Sequence, residues 1–259
     1  MASFLVVAMN RTTLTDPQWD VILSFLSAHG RVYVGVEATC RRFLNAVLWI
    51  LRGGAQWRFL PQEFGAWNSV FKRFTRWCQA GVWADLHAYV AAEPDLQQVL
   101  LDSTIVRAHA CAAGGAKSTA EREALGRSRG GFTTKIHALT DALGYPVRLI
   151  LTPGQDSDIT QAENLLEGIE AEAAIADKAY DADSLIQTLE VRGTTPVIPP
   201  RSNRTTPRHC DWYVYKERHL IECFFGKIKH YRRVFSRFEK KALNYLAFVQ
   251  FSAFLVWTR

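Results

Sequence analysis

The chain has 259 residues, of which 48% are hydrophobic and 22% are charged. This composition supports a full-sized core and excludes a disordered or disulfide-stapled chain. The five cysteines are scattered without any Cys-x-x-Cys pair, which argues against a zinc ribbon and favours a reducing cytoplasm. The apolar run at residues 4–9 is far shorter than the roughly 20 residues of a membrane span, so no membrane partner is predicted. We interpret residues 1–8 as a translated leader, with Met9 able to serve as the initiator.

The charges are unevenly distributed along the chain, whose formal net charge is +6. Residues 201–259 contain 13 Lys and Arg against 4 Asp and Glu, whereas residues 151–200 contain 2 against 10. A basic C-terminal segment suits a polyanion such as DNA. The acidic segment before it is compatible with a solvated helix face, a metal site, or both.

Residues 10–95 are predicted to be helical, because apolar residues recur at helical spacing. Asp16 and Pro17 form a helix start signal, with Asp16 as the cap, and Gly53-Gly54 ends the second helix. The third helix, residues 67–77, interleaves basic with aromatic residues. Such helical units often bind DNA, although a simple division into core and surface faces is the alternative.

From about residue 97 the pattern changes to short β-rich segments. Strands are predicted at residues 99–106, 132–140, 145–152, 173–176 and 195–198. Helices are predicted at residues 158–169 and 183–192, and one long helix is predicted from Lys216 to the C-terminal end. This order of elements predicts an α/β fold in which a mixed sheet carries flanking helices. The glycine- and arginine-rich residues 111–131 are predicted to form a basic loop.

Three acidic residues occupy positions that polar side chains usually avoid. Asp102 interrupts an apolar strand, Asp177 follows another strand, and Glu222 lies inside an aromatic-rich helix. A buried carboxylate is costly unless it is paired or binds a metal, so for each acid alone an ion pair or an edge position is the simpler interpretation. If the three converge, they form a site for hard divalent cations, which favour oxygen ligands.

Glu222 also belongs to a polar stripe. At about 100° per residue, Tyr215, Arg218, Glu222 and Lys229 fall within an arc of roughly 60° on one helix face. The apolar residues of the same segment cluster on the other side. A chance stripe on an exposed helix is the alternative to a functional one.

The spacing Tyr215-x2-Arg218-x3-Glu222-x6-Lys229 resembles in full the signature of bacterial insertion-sequence transposases of the DDE class. Further segments resemble one small subgroup of these enzymes: residues 57–74, 101–109, 126–137, 152–155, 175–181 and 199–204. The resemblance covers nearly the whole chain from Met9. It departs at Ala179, where the family usually has glycine, so an altered turn beside Asp177 is expected. Cys223 is also unusual.

The resemblance implies a ribonuclease H-like catalytic domain at residues 97–259, preceded by an all-α DNA-binding domain at residues 1–96. It implies Asp102, Asp177 and Glu222 as catalytic residues that hold two Mg²⁺ ions, for which Mn²⁺ can substitute. The implied function is binding of the element's terminal inverted repeats, strand cleavage, and joining of 3′ ends to target DNA. The implied setting is the bacterial cytoplasm at the nucleoid, with DNA as partner and a homodimer formed on DNA.

Further residues are expected to contact DNA. The resemblance implies that Tyr215, Arg218 and Lys229 hold terminal phosphates. The remaining predicted DNA contacts are Lys72, Arg73, Arg127, Arg129, Arg201, Arg204, Arg232, Arg233 and Arg237. A plain solvated charge is the alternative for each basic residue. Lys135 and His137 are expected to serve the site from an adjacent strand, or to be structural.

Two other functions remain open from the sequence. A hydrolytic nuclease or resolvase would share the fold but would produce nicks without joined 3′ ends. A DNA-binding repressor with a decayed acidic site is the rival from a different class, and the three intact acids argue against it.

Overall fold

A mixed β-sheet with packed helices forms the centre of the molecule. The computed structural model describes residues 12–113, 119, 122–128, 131–206 and 208–259. The α/β class and the mixed sheet predicted from the sequence are confirmed. Arg129 and the interpreted leader at residues 1–8 lie outside the described residues.

Helices and turns precede the sheet. The α-helices described there are α1 (Asp16–Ala28), α2 (Glu37–Gly53), α3 (Trp67–Gln79) and α4 (Val82–Val90). The predicted cap of α1 is wrong by one residue: Thr15 accepts a hydrogen bond from the Gln18 amide, and Asp16 is the first helical residue. Gly54 ends α2 as predicted, in the left-handed conformation at φ 67° that glycine adopts without strain.

Seven strands are described in one sheet. They are β1 (Gln98–Ala108), β2 (Gly126–Ser128), β3 (Gly131–Thr140), β4 (Pro146–Pro153), β5 (Ala173–Ala176), β6 (Thr195–Val197) and β7 (Ser236–Arg237). The central path runs β2-β3-β1-β5-β6, while β4 pairs with β3 and β7 pairs with β1. The predicted hairpin is β3–β4, and β1 lies between antiparallel β3 and parallel β5. The strand with the unusual carboxylate is therefore central.

The helices that follow are shorter than the sequence predicts. They are α5 (Ala162–Leu166), α6 (Asp183–Val191), α7 (Trp212–Tyr215), α8 (His219–Lys229), α9 (Arg232–Phe235) and α10 (Ala242–Trp257). The prediction of one long helix from Lys216 is wrong. The chain becomes extended at Tyr231 and again at Ser236, where β7 pairs with the end of β1.

The N-terminal helices and the C-terminal helix α10 share one hydrophobic cluster. The rings of Phe74 and Phe248 stack at 4.6 Å between centroids, and those of Trp83 and Phe251 lie 5.1 Å apart. The helices before residue 97 therefore bury part of their apolar surface against the C-terminal region. Within the described part of the chain, no helix is long and apolar enough to cross a membrane.

Candidate active site

The strands β1 and β5 bring two aspartates together. In the parallel register Leu101 pairs with Ala176, so Asp102 and Asp177 follow at the same level of the sheet. Strands in a sheet are about 4.8 Å apart. Asp177 accepts a hydrogen bond from the Ala179 amide at 2.8 Å, and Ala179 is not among the described residues with positive φ. Alanine at this position therefore fits the turn without strain.

Asp102 lies in a poorly solvated and negatively charged environment. Its side chain is 16% exposed, and its Oδ1 accepts a hydrogen bond from the Ser103 amide at 2.7 Å. Burial raises the pKa of Asp102 to about 6, and the carboxylates of Asp177 and Asp158 raise it as well. The Ser103 amide and the Arg218 guanidinium act in the opposite direction. Concentrated negative charge of this kind favours a bound cation.

The polar stripe faces this pair of aspartates. Arg218 donates a hydrogen bond from Nη1 to Asp102 Oδ2 at 2.9 Å, and its Nη2 donates to Glu222 Oε1. Lys229 donates from Nζ to Thr104 Oγ1 at 2.5 Å, and Tyr215 lies 5.9 Å from the Arg218 guanidinium. The structure thus brings all four stripe residues to the face of β1 that carries Asp102.

The donor types suit a hard divalent cation, because carboxylate oxygens are its preferred ligands. As the side chains stand, however, the described residues contain no group of three potential ligands arranged to hold a metal. Arg218 lies between the carboxylates of Asp102 and Glu222, and its guanidinium supplies a positive charge there. A metal ion at these oxygens therefore requires Arg218 to move.

Asp158 is a nearby carboxylate that the sequence analysis missed. Its Oδ1 accepts hydrogen bonds from Ser103 Oγ and Lys135 Nζ, each at 2.7 Å. Tyr180 is fully buried, and its hydroxyl has no hydrogen-bond partner among the described residues. Burial raises the pKa of Tyr180, with further contributions from Asp158, Asp102 and Asp177. A polar wall therefore lies on the side of β1 that carries Ser103, opposite the side chain of Asp102.

Lys135 and His137 belong to this wall. In the register, His137 pairs with Ser103 and Lys135 pairs with Ile105, so both side chains point to the face of the sheet opposite Asp102. His137 is fully buried and bonds Thr152 Oγ1 at 2.8 Å. Lys135 and His137 therefore do not face Asp102 directly, as one of the two expectations held. They support the structure around Asp158 instead.

The predicted DNA contacts divide by their surroundings. Lys72, Arg127 and Arg232 are exposed. Arg73 is partly exposed, and its guanidinium lies 4.4 Å from the Phe43 ring. Arg201 donates to the Ala179 carbonyl at 2.8 Å in the turn after Asp177, and Arg204 pairs with Asp181 at 2.6 Å.

Arg233 and Arg237 are buried, so the prediction that they contact a DNA backbone is wrong. Arg233 is 5% exposed and pairs through Nε with Glu239 Oε1 at 2.6 Å. Arg237 is fully buried and donates to Thr134 Oγ1 at 2.7 Å and to the Ala124 carbonyl at 3.0 Å. Both guanidinium groups are held by internal acceptors and stabilise the fold.

Two family descriptions match the chain. "Transposase DDE domain" matches residues 93–255, and "Putative transposase of IS4/5 family" matches residues 14–87. The "Putative transposase for insertion sequence element IS6501" of Brucella ovis is 44% identical over 133 residues, which are 49% of this chain and 100% of that protein. The "Putative transposase for insertion sequence element IS402" of Burkholderia cepacia is 30% identical over 48% of this chain and 62% of that protein.

Two solved structures are also similar at low identity. A piggyBac transposase synaptic complex with hairpin DNA aligns with 77% of this chain and 51% of that chain, at 12% identity and a TM-score of 0.40. A Mos1 transposase paired-end complex with a left transposon end aligns with 72% of this chain and 77% of that chain, at 12% identity and a TM-score of 0.27.

Proposed function

We propose that this chain, which belongs to the transposase DDE domain family, acts on the terminal inverted repeats of its own insertion sequence. It cleaves DNA strands at these ends and joins the 3′ ends to target DNA. It belongs to the small subgroup with the Tyr-x2-Arg-x3-Glu-x6-Lys signature, has a ribonuclease H-like catalytic domain, and works in the bacterial cytoplasm at the nucleoid. A homodimer on DNA would allow two ends to be processed together.

One observation carries the proposal. Asp102, Asp177 and Glu222 come from two strands and a helix, and the guanidinium of Arg218 bonds the first and the last of them. Asp102 and Asp177 are partly buried and Glu222 is exposed, and like charges gathered beside a single cation disfavour one another, so the cluster is expensive to maintain for stability alone. In a family of transposase domains, their gathering supports a phosphoryl-transfer site.

The three carboxylates would hold two divalent ions, with Mg²⁺ as the expected metal and Mn²⁺ as a substitute. When bound, such ions activate water and then a 3′-hydroxyl, and they neutralise charge at the transferring phosphate. Asp102 would contribute carboxylate oxygens to this metal site from the central strand. Once Arg218 leaves Asp102 and Glu222, it can hold a terminal phosphate together with Lys229 and Tyr215, since a guanidinium forms paired hydrogen bonds with phosphate oxygens.

The helices at residues 12–96 would read the element ends as a DNA-binding domain, with Lys72 and Arg73 among the contacts. Arg127, Arg201, Arg204 and Arg232 would contact phosphates around the catalytic centre. These contacts would fix the register of the duplex without reading its sequence.

The test is a donor DNA that carries the sequences flanking the coding region, incubated with the purified full chain, Mg²⁺ and a target plasmid. Joined 3′ ends are expected. Nicks without joining would instead indicate a hydrolytic nuclease or resolvase, and binding without any cleavage would indicate a repressor.

A further inference from the structure

We propose that a cavity at the junction of α3, α9 and α10 binds a single unpaired DNA base that carries an exocyclic amino group. The cavity has a volume of about 380 Å³ and is called the base pocket below. It lies near His109, whose ring is 5.4 Å from the ring of Phe238 in the pocket wall. His109 directly follows β1, about 23 Å from Asp102 at 3.3 Å per residue. The inference rests on the proposed function, because it names a further part of the same DNA substrate.

The base pocket has a polar floor that lacks partners. Thr75, Glu239 and Asn244 line it, and each has a buried oxygen without a hydrogen-bond partner among the described residues: Oγ1, Oε2 and Oδ1, respectively. Glu239 is 7% exposed and Asn244 is 6% exposed. Unpaired buried acceptors are rare and costly. Three of them around one cavity point to a ligand that supplies hydrogen-bond donors.

Arg233 explains why one oxygen of Glu239 remains available. Its Nε donates to Oε1 of Glu239 at 2.6 Å, while Nη1 donates to the carbonyls of Gly54 and Ala55. The guanidinium therefore fixes the carboxylate and leaves Oε2 for another donor. The buried pair is part of the wall of the pocket.

The other walls are aromatic. Trp57, Phe71 and Phe238 line the base pocket, and the rings of Trp57 and Phe71 are 5.4 Å apart. The same three residues line an adjoining cavity of about 500 Å³, which reaches the partly exposed Trp67. Flat rings above a polar floor suit a planar nucleobase, which stacks on aromatic side chains whatever its identity.

The charges at the rim favour a nucleic acid over other occupants. The exposed residues Lys240 and Lys241 line the base pocket, and the exposed Arg58 lines the adjoining cavity. Among the described residues that line the two cavities, the one acidic side chain is Glu239, and Arg233 pairs with it. A positive rim around an aromatic interior complements a phosphate backbone with an inserted base.

The floor also selects among bases. Adenine, cytosine and guanine each carry an exocyclic amino group that donates hydrogen bonds, whereas thymine has no amino group and presents carbonyl oxygens on both sides of its single N3–H donor. In a duplex the pairing edge is occupied, so the base must be extrahelical to reach the floor. An unpaired adenine, cytosine or guanine therefore fits better than an unpaired thymine.

The experiment compares the binding of the full chain to three labelled duplexes by fluorescence anisotropy. One duplex contains a single extrahelical cytosine, one an extrahelical thymine, and one no unpaired base. The cytosine duplex should bind about tenfold more tightly than the thymine duplex. Thr75→Val and Asn244→Leu should each reduce this preference to nearly one, whereas the matched control Thr188→Val on α6 should retain it. Thermal unfolding of each variant establishes that it folds.

The outcomes separate the two proposals. If no duplex binds, both the base pocket and the proposed function are overturned. If all three duplexes bind the wild-type chain equally, the base pocket is overturned and the proposed function stands. Equal binding is also the result expected if a protein segment, and not a DNA base, occupies the cavity. The wild-type comparison decides the question even where a variant fails to fold.

Discussion

The guanidinium of Arg218 bonds the carboxylate of Asp102 at 2.9 Å, although the two residues are 116 positions apart in the chain. The same guanidinium bonds Glu222, one helical turn further on. A single cation thus links the first and last of the three acids, and it lies where a metal ion would need to approach. The arginine and a metal ion therefore compete for the same oxygens.

This competition predicts how metal affinity responds to substitution. Arg218→Gln should increase the affinity for Mn²⁺ in the absence of DNA by about thirtyfold, since the repulsion between a unit charge and a divalent ion at about 4 Å in water is worth about 2 kcal/mol. Isothermal titration calorimetry measures the change. Lys216→Gln, which removes the same charge from an exposed position on the neighbouring turn, is the control. Equal affinities in the two variants would show that Arg218 does not compete with the metal.

Two adjacent arginines should behave differently. Arg232 is exposed, so Arg232→Ala should reduce the salt slope of DNA binding by about 0.9 and leave stability unchanged. Arg233 pairs with the buried Glu239, so Arg233→Ala should lower the free energy of unfolding by about 3–5 kcal/mol. Binding titrations at several salt concentrations and urea unfolding test the pair. If Arg233→Ala were as stable as wild type and had a reduced salt slope, Arg233 would contact DNA, and its assignment to a stabilising ion pair would be wrong.

The shared hydrophobic cluster predicts cooperative unfolding. Phe251→Ala should lower the free energy of unfolding by about 3–5 kcal/mol, because the side chain is 1% exposed and packs against Trp83. Leu243→Ala, on the exposed side of the same helix, should change it by less than about 1 kcal/mol. A fragment that begins at residue 97 should be less stable, since it exposes the rings of α10. If the fragment and the full chain unfolded at the same denaturant concentration, the shared cluster would not stabilise the region after residue 97.

The burial of His87 predicts that the free energy of unfolding decreases in acid. Burial lowers its pKa to about 4, and its Nε2 lies 2.9 Å from the Pro146 carbonyl. Between pH 6.5 and 4 the unfolded chain binds a proton at His87 that the folded chain does not. The contribution of His87 to the free energy of unfolding therefore falls by about 1.4 kcal/mol per pH unit as the pH drops. Above pH 6.5 the loss is absent. In unfolding titrations His87→Gln should have a shallower pH dependence than wild type, while the exposed control His219→Gln should match wild type.

The sequence was sufficient to predict the strands that carry Asp102 and Asp177, because a carboxylate in or after an apolar run stands out. It did not reveal the break in the C-terminal helix. Helical spacing of apolar residues continues past Lys229, and the extended segment at Ser236 is set by pairing with β1, which is a tertiary contact.

The sequence also could not predict which individual charged residues are buried. Arg233 and Arg237 lie in a basic segment and look like surface charges until their internal acceptors are known. Asp158 follows a Thr-Pro-Gly turn and resembles a helix start residue. Its role beside Ser103 and Lys135 depends on how β4 ends against the central strands.

The most direct test of the phosphoryl-transfer site is substitution of Glu222, the acid that lies on a helix rather than on the sheet. Cleavage and joining of a labelled duplex of the flanking sequences should be measured with Mg²⁺ for wild type, Glu222→Gln and the exposed control Glu217→Gln. Glu222→Gln should abolish both reactions and leave DNA affinity unchanged or higher, because it removes a ligand charge and preserves the side-chain shape. Glu217→Gln should cleave and join like wild type. Wild-type joining by Glu222→Gln would contradict the assignment of this helix to the active site.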